Sequence, residues 1–228
     1  MNVPLKKHGT VPECSFSQSI LGWRLGTLPD GFYDMVNEGS VQIKRCDDSF
    51  SFCADGLVLD GTGERVGADV VILATGFDAD RLLRGVFVSP RFSEIVVGRP
   101  SDTMLPLYRQ CVHPRIPQMA VVGYAECGAS IYPYEMMAKW VAHLLDGAVR
   151  LPGVADMERS VEEWERWGRW ARRRSGAFFP KSCIDPVTTW YHDQLCRDMG
   201  YSPRRKKGVG LVADWLQPYG PTDYADIQ

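Results

Sequence analysis

The sequence predicts a mixed α/β fold, in which a small β-meander and buried parallel strands lead into a mostly helical last third. Three observations predict it. Short segments separated by Asp-Gly and Gly-rich turns fill residues 41–67, as in a run of antiparallel strands. Two consecutive apolar runs, Val70–Leu73 and Met119–Val122, each stop at small residues that include a glycine, the pattern of strands buried on both faces. From Tyr134 onward, apolar residues recur mainly at helical spacing.

Taken in order, Val41–Cys46 (VQIKRC) alternates apolar and polar residues, as a half-buried strand does. Phe50–Asp60 (FSFCADGLVLD) reads as two strands around the turn signal ADG. Gly61–Gly67 (GTGERVG) spells G-x-G-x-x-x-G ahead of a strand. The dinucleotide fingerprint needs G-x-G-x-x-G after a strand and opening a helix, so a hairpin turn is the better reading. Val70–Leu73 then runs into Ala74, Thr75, Gly76 and Phe77. With no bulky side chain at Ala74-Thr75-Gly76, a ligand or another backbone can come close, and Gly76 can take a positive φ. An ordinary strand-to-loop turn would leave the same residues. Met119–Val122 repeats the design with Gly123 and Tyr124. Two such strand ends can line one crevice at the carboxyl edge of an open α/β sheet.

The helical part has clear punctuation. Met137, Trp140, Val141, Leu144 and Leu145 stand at helical spacing, with Gly147 as the C-cap. Asp156–Gly176 carries acids early and arginines late, as the macrodipole prefers, with a stripe of Val161, Trp164 and Trp167. Asp185–Gly200 has Asp185 as N-cap, Pro186 at N1 and a terminal glycine. The tryptophans read as core or interface anchors rather than as a stacking platform for bases.

Composition sets the outer bounds. The 228 residues are 45% hydrophobic and 24% charged, with a net charge of −2. That is core material enough for one large domain or two small ones, and the whole molecule is not a polyanion binder. Seven cysteines (Cys14, Cys46, Cys53, Cys111, Cys127, Cys183, Cys196) include no C-x-x-C pair. They read as reduced thiols of a cytoplasmic protein, not as a disulfide framework or zinc site. His8, His113, His143 and His192 form no H-x-x-x-H or H-E-x-x-H pair, so no metal site is expected. G-x-S-x-G is absent, which removes the nucleophile-elbow hydrolases. His192 and Asp193 are helix neighbours that point apart, and a solvated pair is expected. No apolar run is long enough to span a membrane, and MNVPLKKHG has no apolar region behind it to act as a signal peptide. Ser202–Gly208 (SPRRKKG) carries the basic run Arg204–Lys207. A phosphate-contacting patch and a solvated loop both fit; without interleaved aromatics, no nucleic-acid partner is expected.

At DVVILATGF the chain resembles the Ala-Thr-Gly-aromatic signature of flavin-containing monooxygenases. PLYRQCVHPRIPQMAVVGYAE, YEMMAKWVAHLLDG, SCIDPVTTWYHDQLCRDMG, PRRKKG and PYGPTDYA resemble the plant branch of that family in the same order, as do PLKKHGTVPECSF and LPDGFYDMVNEGSV. The resemblance implies the C-terminal half of a two-dinucleotide-binding-domain flavoprotein. Residues 1–76 would end the NADP-binding domain, and residues 77–228 would be the returning part of the FAD-binding domain with its helical tail. Thr75, Gly76 and Phe77 would lie where a cofactor passes close to backbone, and Gly123 and Tyr124 near the flavin. The implied cofactors are FAD and NADPH, and the implied activity is oxygenation of a nitrogen, sulfur or carbonyl centre of a small-molecule substrate. No side chain of this chain is required as acid, base or nucleophile. The family's two glycine-rich pyrophosphate turns and its F-x-G-x-x-x-H-type segment are not in this sequence. The chain alone is therefore expected to be inactive. The alternative is a non-catalytic interaction protein whose exposed sheet edge associates with a full-length relative.

Overall fold

The computed structural model describes residues 5–22, 26–44, 46, 49–75, 78–99, 101–128, 131–176, 179, 181–206 and 210–227. The chain divides into two compact units: Met1–Glu13 with Gly26–Asp78, and Cys14–Leu25 with Ala79–Gln228.

The first unit contains the meander. Strands β1 (Phe50–Cys53), β2 (Gly56–Leu59) and β3 (Glu64–Gly67) pair antiparallel in the order β1-β2-β3. Gly56 fixes the first turn, because its φ is +152° and a Cβ there would lie 2.0 Å from the Val66 carbonyl oxygen. The turn expected over Gly61–Gly67 is confined to the residues before Glu64; the rest is β3. Two strand expectations fail in this unit. Val41–Lys44 forms no strand, and Val70–Leu73 is neither a strand nor buried. Val70, Ile72 and Leu73 are 75, 86 and 56% exposed. An interior strand needs neighbours on both edges, and among the described residues no strand lies beside this run.

In the second unit, α1 (Phe16–Leu21) starts at a capping box, with Ser15 and Gln18 satisfying each other's backbone donors. α3 (Ala79–Arg84) and α4 (Pro90–Val97) follow the short α2 (Phe32–Glu38) of the first unit. β4 (Val112–His113) and β5 (Ile116–Ala120) form an antiparallel hairpin. Met119 is therefore only half-buried and Val122 is exposed, which corrects the expected doubly buried parallel strand. The one parallel contact among the described residues is the isolated bridge Glu126–Cys183.

The last third is helical, as the sequence predicts. α5 (Ile131–Leu145) begins three residues earlier than Tyr134 and stops before Gly147, whose φ is +76°. α6 (Val154–Arg174) buries Met157, Trp164, Gly168 and Ala171; of the predicted stripe Trp164 is buried and Val161 and Trp167 are half-buried. Gly168 is obligatory, since a Cβ there would meet Thr103 Oγ1 at 2.3 Å. A 3-10 turn (Asp185–Val187) runs into α7 (Thr188–Asp198), and α8 (Gly210–Leu216) precedes a second 3-10 turn (Pro221–Tyr224). Asp185 does not cap this helix. Its carboxylate accepts instead from the Gly128 N–H at 2.8 Å.

Met136, Met137 and Trp140 of α5 share one core with Trp164, Tyr191, Leu195, Cys196, Tyr224 and Ile227. A part-buried ion pair ties the preceding loop to it. Arg109 donates to both oxygens of Asp198 (2.7 and 3.0 Å), and Trp140 Nε1 donates to the same carboxylate at 3.0 Å. The guanidinium also reaches Gln194 and lies 4.6 Å from the centre of the Tyr108 ring. Tyr191 donates to the Arg109 carbonyl at 2.8 Å.

His192 is not the solvated residue expected from its neighbour. Its ring is fully buried, 5.2 Å from Tyr132, 4.9 Å from Tyr224 and 5.8 Å from Tyr191. Neither nitrogen has a hydrogen-bond partner among the described residues. Burial pushes the imidazole down to about 4.

Replacing Asp198 with alanine would leave a guanidinium, only 15% exposed at its side chain, without its counter-ion. We expect a loss of about 3–5 kcal/mol in urea unfolding, and a smaller loss for Asp198→Asn, which keeps an acceptor for Trp140. A second expectation concerns acid. The folded pKa of His192 lies below the unfolded value of about 6.5, so the folded state binds fewer protons. Its contribution, about 3 kcal/mol at most from that shift, is complete above pH 6.5. It is lost as pH falls toward the folded value of about 4. Urea titrations between these limits should show a steeper stability decline in the wild type than in His192→Phe.

Candidate functional site

The candidate site is the segment that leaves β5 and leads to α5. The Val121 N–H still bonds the Cys111 carbonyl at 2.8 Å, after which the chain turns at Gly123 with φ +81°. A Cβ at Gly123 would sit 3.6 Å from the Tyr134 ring, an ordinary contact. Glycine is therefore set here by the left-handed backbone, not by lack of space. The space beside it is occupied by an aromatic ring of this chain.

Tyr124 is half-buried against Leu83, Val97, Leu105 and Leu107. Its hydroxyl donates to Asp80 Oδ1 at 3.4 Å. Lys181 Nζ reaches both oxygens of Asp80 (3.3 and 3.2 Å) and the Val97 carbonyl at 2.9 Å. The ammonium thereby ties α3, the end of α4 and the segment before the 3-10 turn to one carboxylate. Beyond Tyr124, the Glu126 N–H bonds the Ser182 carbonyl and the Ile184 N–H bonds the Glu126 carbonyl, both at 3.0 Å. Asp185 then holds Gly128.

A second carboxylate holds the chain at Thr103 and Met104, which Ser182 links to Glu126. Glu165 of α6 accepts from the Thr103 N–H at 2.9 Å, the Thr103 hydroxyl at 2.9 Å and the Met104 N–H at 2.8 Å. Ser182, buried with φ +64°, bonds the Thr103 carbonyl through its N–H, and its hydroxyl accepts from Leu105 N–H at 3.1 Å.

Of the five site residues expected from sequence, Gly123 and Tyr124 are adjacent in the second unit. Thr75 is exposed and belongs to the first unit. Gly76 and Phe77 lie outside the described residues. Sequence reasoning did not single out Asp80, Lys181, Tyr134 or Glu165. Their signal is three-dimensional, since Lys181 and Asp80 are 101 positions apart.

The local chemistry does not suit nucleophilic catalysis. Burial pushes the thiols of Cys111 and Cys183 up to about 12 and that of Cys196 to about 11, so all three stay protonated near neutrality. Among the described residues no group of three or more His, Cys, Asp or Glu side chains could hold a metal ion. Among them, too, no helix is long and apolar enough to cross a membrane. In the basic run, Arg205 pairs with Asp226 and the Asp223 carbonyl, and Lys206 with Asp223 at 2.7 Å. Those two cations are committed within the fold, and Lys207 lies outside the described residues.

Sequence comparison adds the decisive observation. The chain is 32% identical over 223 residues to "Probable flavin-containing monooxygenase 1" of Arabidopsis thaliana, covering 97% of this chain and 40% of that protein. By sequence the chain is a relative of the plant flavin-containing monooxygenases. It is also 30% identical over 204 residues to "Putative flavin-containing monooxygenase 2" of the same plant, covering 88% of this chain and 42% of that one. An FAD-dependent monooxygenase of Aspergillus nomiae is 31% identical over 111 residues, 48% of this chain and 18% of its own length. The chain thus spans about two fifths of the length of its plant relatives. No family model and no solved structure matches it.

The described residues do not fit a whole flavin dinucleotide. The turn at Gly123 is faced by Tyr134, and the other glycine turns described here are not followed by the glycine-rich helix start that a pyrophosphate needs. Gly123→Ala should test the backbone reading. A side chain at φ +81° costs about 1–2 kcal/mol, so urea unfolding should show that loss although the Cβ meets no clash.

Proposed function

We propose that this chain supplies the C-terminal part of an FAD- and NADPH-dependent monooxygenase that oxygenates a nitrogen, sulfur or carbonyl centre of a small molecule. The observation that carries the reading is the match over 97% of the chain at 32% identity. In this reading the chain's own residues bind and orient. The segment Gly123–Gly128, held by the Asp80–Lys181 pair and by Asp185, is the wall presented to the flavin, and Thr75, Gly76 and Phe77 form the crossing from the NADP side. The stretches 1–76 and 77–228 are then the end of the NADP-binding domain and the returning FAD-binding part. The substrate is carried by the complete enzyme, in the cytoplasm. The hard redox chemistry belongs to the cofactor, while the protein positions it and excludes water.

A second reading has its own observation. Val70, Ile72 and Leu73 form an apolar and exposed run. An apolar run that no strand covers among the described residues invites strand addition. In this reading the chain is a non-catalytic partner that docks on a full-length relative.

The two readings separate in one experiment. The purified 228-residue chain is scanned for flavin absorbance and for NADPH oxidation with added FAD, and is then mixed with a full-length relative on a sizing column. We expect no stoichiometric FAD and no NADPH consumption, because the pyrophosphate turn and the acid that reads the ribose are not in this sequence. Co-elution with the relative, without a change in its turnover, would favour the docking reading. A yellow chain that consumes NADPH by itself would overturn the placement of the cofactor sites.

A further inference from the structure

Beside α7 and α8 lies an open cleft of about 480 Å³, within the size range of small-ligand sites. Trp190, Asp193 and Arg197 reach it from α7, and Asp214 and Trp215 from α8, with Arg204 from the connection between them. None of these residues belongs to the wall around Gly123, and nothing in the monooxygenase reading uses them.

Three features of the cleft point the same way. First, its two indoles are open to water. Trp190 packs 5.0 Å from Trp164 yet remains 48% exposed, and Trp215 is 78% exposed. Aromatic faces at a concave surface suit ring stacking. Second, both carboxylates are already engaged. Asp214 accepts from the Tyr219 hydroxyl and from the Lys206 N–H at 3.0 Å. Asp193 faces Arg197 at 3.6 Å one helical turn away. Third, Arg204 forms no ion pair among the described residues and acts on Asp214 only through longer-range attraction. The cleft therefore combines exposed indole faces with a guanidinium that has no close counter-ion. A guanidinium fork is matched by a carboxylate or phosphate.

We propose that this cleft binds a small planar aromatic anion, its ring against Trp190 and Trp215 and its carboxylate or phosphate on Arg204. The hydrogen bonds on Asp214 and the Arg197 ion pair of Asp193 partly offset the pull of these carboxylates on the opposite choice, an organic cation, and the titration below includes one. Stacking on an exposed aromatic face favours a planar ring over a saturated one of similar size. Recognition thus needs both the ring and the charge.

The test is calorimetric titration of the full chain with benzoate and phenyl phosphate, beside cyclohexanecarboxylate, inorganic phosphate and phenyltrimethylammonium. We expect at least one of the aromatic anions to bind, with at least fivefold weaker binding of cyclohexanecarboxylate and of inorganic phosphate. Trp215→Ala and Arg204→Gln, both at exposed positions, should each weaken that anion tenfold or more while leaving the far-ultraviolet dichroism unchanged. Failure of both aromatic anions to bind would overturn the proposal. So would undiminished binding in both variants, or binding of phenyltrimethylammonium as tight as that of the anions. The ligand comparison on the wild-type chain decides by itself should a variant fail to fold.

Discussion

The Arg109–Asp198 pair is the interaction on which the second unit depends. One carboxylate at the end of α7 receives two guanidinium N–H groups and the Trp140 indole N–H. It therefore joins α5, α7 and the loop before β4 at a single part-buried point. The arginine pays in backbone conformation, since its φ is +51° and that of Gln110 is +53°. Two consecutive non-glycine residues in the left-handed region persist only where the surroundings over-determine them. Here Tyr191 holds the Arg109 carbonyl and Asp198 holds its side chain. The β4–β5 hairpin leaves this loop directly, so the direction in which β5 delivers Gly123 follows from the same pair.

What could be read in the sequence divides by the range of the interactions. The helices of the last third were legible because the cause is local. The stripe of Val161, Trp164 and Trp167 stands at helical spacing, with Trp164 buried and the other two half-buried, and glycine ends α5 at the predicted residue. The first turn of the meander was legible because Asp55-Gly56 needs no partner beyond the adjoining strands. Val70–Leu73 was legible only as composition. Four apolar residues state that a strand would suit a sheet interior; they do not supply the strands on either side. The described residues provide none, and the run stays exposed. Met119–Val122 fails for a related reason, since its hairpin partner is short and only one edge is paired.

The candidate site shows the same division at the level of side chains. Gly123 was visible because a glycine after an apolar run marks a backbone change. The glycine does adopt a left-handed conformation, although Tyr134 rather than open space lies beside it. Asp80, Lys181 and Glu165 were invisible because each acts on a segment far along the chain. His192 was misjudged for another reason. Adjacency to Asp193 suggested solvent, but a helix turns by about 100° per residue, and that rotation carries His192 among Tyr132, Tyr191 and Tyr224 while Asp193 faces Arg197.

Burial also separates the two kinds of polar group in the second unit. Where water is largely excluded, charge is either paired, as at the part-buried Asp198 and Arg109, or suppressed, as at His192 and the thiols of Cys111, Cys183 and Cys196. Both outcomes follow from the cost of holding an unpaired charge away from water. Neither leaves an acid, base or nucleophile ready to act on a substrate. Among the groups open to water are the indoles of Trp190 and Trp215 and the guanidinium of Arg204. The interior of this unit is therefore built for positioning. In the reading proposed above, that positioning falls to the segment from Gly123 to Gly128, held by Asp80, Lys181 and Asp185.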